Sequence, residues 1–128
     1  MTLADLDQPV RDALSRGGVI DITTTGRKSG RARRLEIVFH NIDGRLYVSG
    51  MPGFKRNYLA NLEADPHFTF HLKGPVHADL AATARIITEP SERREVLPHI
   101  ARIWKRDDVE TMVEGSPLFE VTIDGPAG

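Results

Sequence analysis

The densest chemistry-bearing stretch of this chain is Thr23-Thr24-Thr25-Gly26-Arg27-Lys28-Ser29-Gly30-Arg31-Ala32-Arg33-Arg34. Five of its 17 lysines and arginines (Arg27, Lys28, Arg31, Arg33 and Arg34) fall within eight residues. Cationic side chains beside converging backbone N–H groups bind phosphate and carboxylate oxygens. Gly26 and Gly30 bound a turn in which the backbone can come close to a ligand, and Ser29 adds a small donor. Arg33 and Arg34 alternate across the next strand, so at least one of them can close over the same anion. The competing reading is a hairpin tip whose charges only face water. The residues alone leave both open. A nucleotide P-loop is excluded, because the Gly-x4-Gly-Lys-Ser/Thr spacing is absent and no helix follows.

The elements around this turn read as mainly antiparallel. Residues 4–16 form a short amphipathic helix with Leu6, Val10 and Leu14 at i, i+4, i+8, ended by Gly17-Gly18. Val19–Thr25 is a strand rich in β-branched residues. Arg33–His40 alternates Leu35, Ile37 and Phe39 with Arg34, Glu36, Val38 and His40. Asn41-Ile42-Asp43-Gly44 turns the chain back into a strand at Arg45–Ser49. Phe54–Ala64 reads as a helix, stopped by Asp65-Pro66. His67–Lys73 is a strand, and Val76–Thr88 is one long strand or a bulged pair. A helix starting near Pro90 carries Val96, Leu97, Ile100, Ile103 and Trp104 on one stripe, with a kink expected at Pro98. Asp107–Glu114 is a further short helix and Leu118–Ile123 a last strand. About six strands and three or four helices joined by short turns imply an α+β, mainly antiparallel fold. Such a sheet manages its edges best by closing into a barrel or roll.

Composition narrows the function classes. The 128 residues fit one domain, 1–128, with 40% hydrophobic and 27% charged residues. Seventeen cations against 18 anions leave a formal charge of −1, so global charge points to neither nucleic acid nor an anionic membrane. One Trp, two Tyr and five Phe, none of them before Phe39 in the basic stretch, also argue against nucleic acid. The absence of cysteine removes disulfides, thiolate metal sites and thiol nucleophiles. No apolar run approaches the roughly 18 residues of a membrane span. The acidic start of the chain does not resemble a signal peptide, so a cytoplasmic protein is expected.

Thr-Thr-Thr-Gly-Arg-Lys-Ser-Gly at 23–30 with Arg-Ala-Arg at 31–33 resembles the deazaflavin-dependent nitroreductase family. Later features keep the same order: the Asp43-Gly44 turn, a strand ending in Ser49-Gly50, a helix with Asn57, Tyr58, Asn61 and Leu62, and then Ala64-Asp65-Pro66. The resemblance covers roughly residues 18–123. It implies a split β-barrel over 18–123, similar to flavin reductases and pyridoxamine phosphate oxidases, with an N-terminal helix at 1–17 and flanking helices at about 54–64 and 89–104. It also implies a reduced deazaflavin coenzyme that passes a hydride to a quinone, a nitro compound or another small organic acceptor.

By position, Arg27, Lys28, Ser29, Arg33 and Arg34 would hold the phosphate and acidic tail. Val38 would line the groove, and Ser49, Gly50 and Met51 would follow the ring with backbone groups. Arg56, Asn57, Tyr58 and Asn61 would reach the ring or tail from the helix. No catalytic residue is named, because the cofactor carries the chemistry. The loop 50–56 departs from the family pattern, which keeps flavin mononucleotide and haem as alternative groups. A non-enzymatic dimeric anion-binding module is the third alternative, and a homodimer is expected because small split barrels often cover an apolar sheet face with a partner.

The remaining candidates read as structural. His67 and His71 are too far apart along a strand for joint ligation, and His77 with Asp79 is a weak metal pattern. All are expected on exposed polar faces, and no metal site is assigned. His99 is expected to face solvent, and Arg93-Arg94 to form the solvated face of their helix. Trp104 is expected in the core or a dimer interface. Lys105-Arg106-Asp107-Asp108 shows only charge.

Overall fold

The computed structural model describes residues 6–53 and 56–127. Six strands, β1 (Gly18–Thr25), β2 (Ala32–Ile42), β3 (Arg45–Ser49), β4 (His67–Leu72), β5 (Ala78–Ile86) and β6 (Leu118–Pro126), close into an antiparallel barrel in the order β1-β2-β3-β6-β5-β4. Three hairpins make β1–β2, β2–β3 and β4–β5. The return of β6 between β3 and β5, together with the β1–β4 pairing, closes the ring. A closed ring leaves no free strand edge.

Alternation decides what fills the barrel. Ile20, Ile22, Phe39, Phe70, Leu80, Phe119 and Val121 point inward and are buried. Phe39 and Phe70 meet edge to face with centroids 5.1 Å apart, a preferred aromatic geometry. Four helices flank the barrel: α1 (Gln8–Arg16), α2 (Asn57–Ala64), α3 (Pro90–Ile103) and α4 (Val109–Gly115). The α3–α4 pair covers a second apolar cluster that includes Tyr47, Ile87, Leu97, Ile100, Met112 and Leu118.

Several expectations need correction. The N-terminal helix starts at Gln8, with Pro9 in its first turn, and its expected residues 4 and 5 lie outside the described residues. α2 starts at Asn57, and Phe54 lies outside the described residues. The segment expected as Val76–Thr88 is strand only at Ala78–Ile86, with a register shift against β6 at Ala81/Ala82. Pro98 lies inside a single helix, α3, with Leu97 and Ile100 on either side fully buried.

The largest correction is Arg93, which is buried rather than solvated. Its Nε donates to the Val113 carbonyl (2.8 Å), its Nη1 to Ile87 (2.8 Å), and its Nη2 to Met112 (3.1 Å) and to the Ser116 carbonyl. The planar fork thus supplies donors to carbonyls at the ends of β5 and α4, of which Met112 also accepts the Ser116 N–H at 2.9 Å. Burial pushes the Arg93 guanidinium down in pKa, yet a guanidinium stays charged in any folded protein. His71 is likewise buried: Thr23 Oγ1 lies 2.7 Å from its Nε2 and Asp79 Oδ1 lies 2.7 Å from its Nδ1. His99 is half-buried on α3. Among the described residues, no helix is long and apolar enough to cross a membrane.

Candidate cofactor site

The turn between β1 and β2 is tightly built. Gly26 N–H donates to the Arg31 carbonyl, and Gly30 N–H to the Gly26 carbonyl, each at 2.8 Å. A side chain at Gly26 would meet Ser29 Oγ at 2.7 Å and the Arg31 oxygen at 3.2 Å, so only glycine fits. Gly30 turns the chain with φ +70°, which glycine adopts at no steric cost. Ser29 Oγ accepts the Arg31 N–H at 3.2 Å.

Asn61, buried on α2, clasps this turn from below. Its Oδ1 accepts from the Arg27 backbone N–H (3.1 Å) and from Arg27 Nη1 (3.2 Å), and its Nδ2 donates to buried Thr24 Oγ1 (3.1 Å). Its side chain is therefore spent on positioning the turn.

The charges around the turn divide into two kinds. Arg34 Nε pairs with Asp21 at 3.0 Å. Among the described residues, no carboxylate pairs with Arg27, Lys28, Arg31 or Arg33. Four cations packed within seven positions repel one another unless something anionic sits among them.

Two adjoining cavities run from the turn across the outside of β2. The first, about 630 Å³, is lined by Arg27, Lys28, Ser29, Arg33, Arg34, Arg56, Asn57, Tyr58 and Asn61, with Thr24 and Leu35. The second, about 530 Å³, is lined by Val38, Ser49, Gly50, Met51, Arg56 and Tyr58, with Leu35, Glu36, Ile37, Trp104 and Arg106. Leu35, Arg56 and Tyr58 border both, so the two form one groove. The fold thus brings all thirteen sequence-derived positions to a single groove.

The second cavity combines backbone and apolar surface with three charged side chains, Glu36, Arg56 and Arg106. Ser49 Oγ is turned inward onto the Pro117 carbonyl at 2.6 Å, leaving its backbone to the groove. Arg56 Nη2 donates to the Met51 carbonyl at 2.8 Å. Tyr58 is buried between the cavities, and burial pushes its phenol up in pKa. Sequence reasoning missed Trp104 and Arg106, which lie on the far wall. Nothing in their spacing signals this, because the chain turns sharply just after Trp104.

The F420H(2)-dependent quinone reductase family model matches residues 5–118. The chain belongs to that family. Quinone reductases of this kind are oxidoreductases that use a deazaflavin cofactor, and the barrel agrees with solved structures. An F420-H2 dependent reductase shares 22% identity at TM-score 0.61, over 82% of this chain and 94% of that one. A conserved hypothetical protein of Mycobacterium tuberculosis shares 18% at TM-score 0.71, over 93% and 81%. HutZ, a haem storage protein of Vibrio cholerae, shares 14% at TM-score 0.66, over 96% and 91%. These likenesses establish the split-barrel fold. No curated protein matches the chain.

The groove fits the family's cofactor on its own terms. One end gathers Arg27, Lys28 and Arg33, which meet no carboxylate among the described residues, and the other offers backbone and apolar surface beside Glu36, Arg56 and Arg106. A molecule with an anionic tail and a flat ring satisfies both.

Proposed function

We propose that this protein is a deazaflavin-dependent reductase that gives a hydride to a quinone-type organic acceptor. The observation that carries the reading is a groove with Arg27, Lys28 and Arg33, free of carboxylate partners among the described residues, at one end and a largely apolar surface at the other. Arg27, Lys28, Ser29 and Arg33 would hold the phosphate and acidic tail. Arg34, neutralised by Asp21, would contribute less. Val38 and the backbone of Ser49, Gly50 and Met51 would border the ring, with Tyr58 between ring and tail.

The cofactor supplies the hydride chemistry. The residues of this chain orient it and exclude water. The buried Tyr58 and the apolar strand face Leu35–Ile37 lower the local dielectric, which strengthens the electrostatics of the tail site. The reading requires no acid–base residue.

Flavin mononucleotide shares a phosphate and a planar ring, so binding must separate it from the deazaflavin. Fluorescence titration of the pure protein should show the reduced deazaflavin binding in the micromolar range or tighter and flavin mononucleotide binding more weakly. Replacing Arg27 and Lys28 together by Ala should weaken coenzyme binding by about a hundredfold. The melting temperature should hardly change, since neither side chain holds the core. If the double variant binds as tightly as the parent, the turn is a solvated tip.

A further inference from the structure

The far wall of the second cavity is built by the end of α3. Arg106 N–H donates to the Ala101 carbonyl at 2.8 Å, and Lys105 N–H to the Arg102 carbonyl at 3.2 Å. Lys105 sits in the left-handed region at φ +56°. This pair of bonds is a Schellman stop, made with lysine where glycine is usual. It reverses the chain so that Trp104 and Arg106 both face the cavity instead of continuing along the helix.

Both side chains are held there. Trp104 is half-buried and meets the buried His40 ring edge-on at 5.3 Å. Burial keeps His40 low in pKa, so the Trp104 ring rests against a neutral neighbour. The Nε of Arg106 donates to Asp108 Oδ1 at 2.8 Å, and its Nη2 donates to Asp108 Oδ2. Its Nη1 points at the Met51 sulfur, 2.9 Å away.

A thioether is a weak acceptor. Asp108 therefore grips one edge of the guanidinium, and the Nη1–Nη2 edge lacks a strong acceptor among the described residues. That edge has the geometry that takes a carboxylate with two parallel bonds. Glu36, on the same wall, is engaged by Lys73.

We propose that Trp104 and Arg106 form the subsite for the electron acceptor, and that it favours flat aromatic acceptors carrying a carboxylate. The Trp104 ring and Met51, itself 48% exposed, supply apolar surface for the ring system. Arg106 binds the carboxylate on its outer edge. The inference rests on the reductase reading for the word acceptor, but the binding itself does not.

The chain has one tryptophan, so its fluorescence reports on the surroundings of Trp104, and the Arg106 variants tie the signal to this subsite. Protein without coenzyme is titrated with a naphthoquinone bearing a ring carboxylate and with the uncharged methylnaphthoquinone. The carboxylated compound should quench Trp104 with an affinity about tenfold or more above the uncharged one. Arg106→Gln should abolish that preference and leave the uncharged compound's affinity in place. Arg106→Lys keeps the charge without the fork and should retain only part of the preference. Equal affinities in the parent protein, or an unchanged preference in Arg106→Gln, would overturn the proposal, as would the absence of quenching by either quinone. Coenzyme titration of the same samples separates the two readings. A parent protein that binds the carboxylated quinone through Arg106 but not the deazaflavin keeps the subsite and loses the reductase.

Discussion

Arg93 and the cations of the β1–β2 turn carry the same kind of charge, yet they differ in what surrounds them. Arg93 meets four backbone carbonyls under the α3–α4 pair. Arg45 and Arg85 share Glu120, and Arg85 also forks onto Glu92 at 2.9 and 2.6 Å. Arg27, Lys28, Arg31 and Arg33 meet no carboxylate among the described residues. The first set is already satisfied and serves stability. In the second set Arg27 is held by the neutral Asn61 amide, and on the proposed reading Arg27, Lys28 and Arg33, which line the groove, serve a ligand. Between these two regions, pairing rather than charge density marks the difference.

The sharpest way to break this comparison is Arg93→Met. It removes a charged donor from four carbonyls, of which Met112 keeps the Ser116 N–H at 2.9 Å, and should cost about 3 kcal/mol of stability. Urea denaturation measures the loss. Coenzyme affinity extrapolated to the folded fraction should stay where it was, and a matching loss of affinity would show that the two regions are not separate.

Asn61 stands on the boundary, since it is buried structure that holds the turn. Asn61→Ala should weaken coenzyme binding about tenfold by freeing Arg27, and should lower stability by about 1 kcal/mol by leaving Thr24 unpaired. Calorimetric titration and thermal melting of the same sample read the two effects.

The smallest effect is expected from Glu120→Gln. Hydrogen bonds first from Arg45, and then from Arg85, hold the Glu120 carboxyl below the usual glutamate range. A depressed carboxylate adds stability above its unfolded pKa and loses it as pH falls through the folded value. The variant should therefore be less stable by about 1 kcal/mol near neutrality. The gap from the parent should close as pH drops below the ordinary glutamate value of 4.5. Denaturation midpoints measured across that range check the sign, and coenzyme affinity should be untouched throughout.

Much of the barrel was legible because its strands alternate: Leu35, Ile37 and Phe39 mark one face of β2 before any coordinates exist. The turn was legible because glycines punctuate a cationic stretch. Arg93 was not, since Arg93-Arg94 on an amphipathic helix looks like a solvated face. Its partners Ile87, Met112, Val113 and Ser116 come from other segments, and only tertiary packing brings their carbonyls together. His71 was hidden in the same way, because Asp79 reaches it across the β4–β5 pair. Trp104 and Arg106 were missed for a local reason. The reversal after α3 uses Lys105, so no glycine advertised it.

One consequence of α2 concerns length. Tyr58 stands where the two cavities meet and Asn61 fastens the cationic turn, three residues further along the same helix face. A helix neither stretches nor shortens, so these two stations keep a constant separation of about 4.5 Å along the axis. On the proposed reading the groove would act as a ruler, set by the spacing of these two stations, for the distance between a ligand's flat part and its charged part.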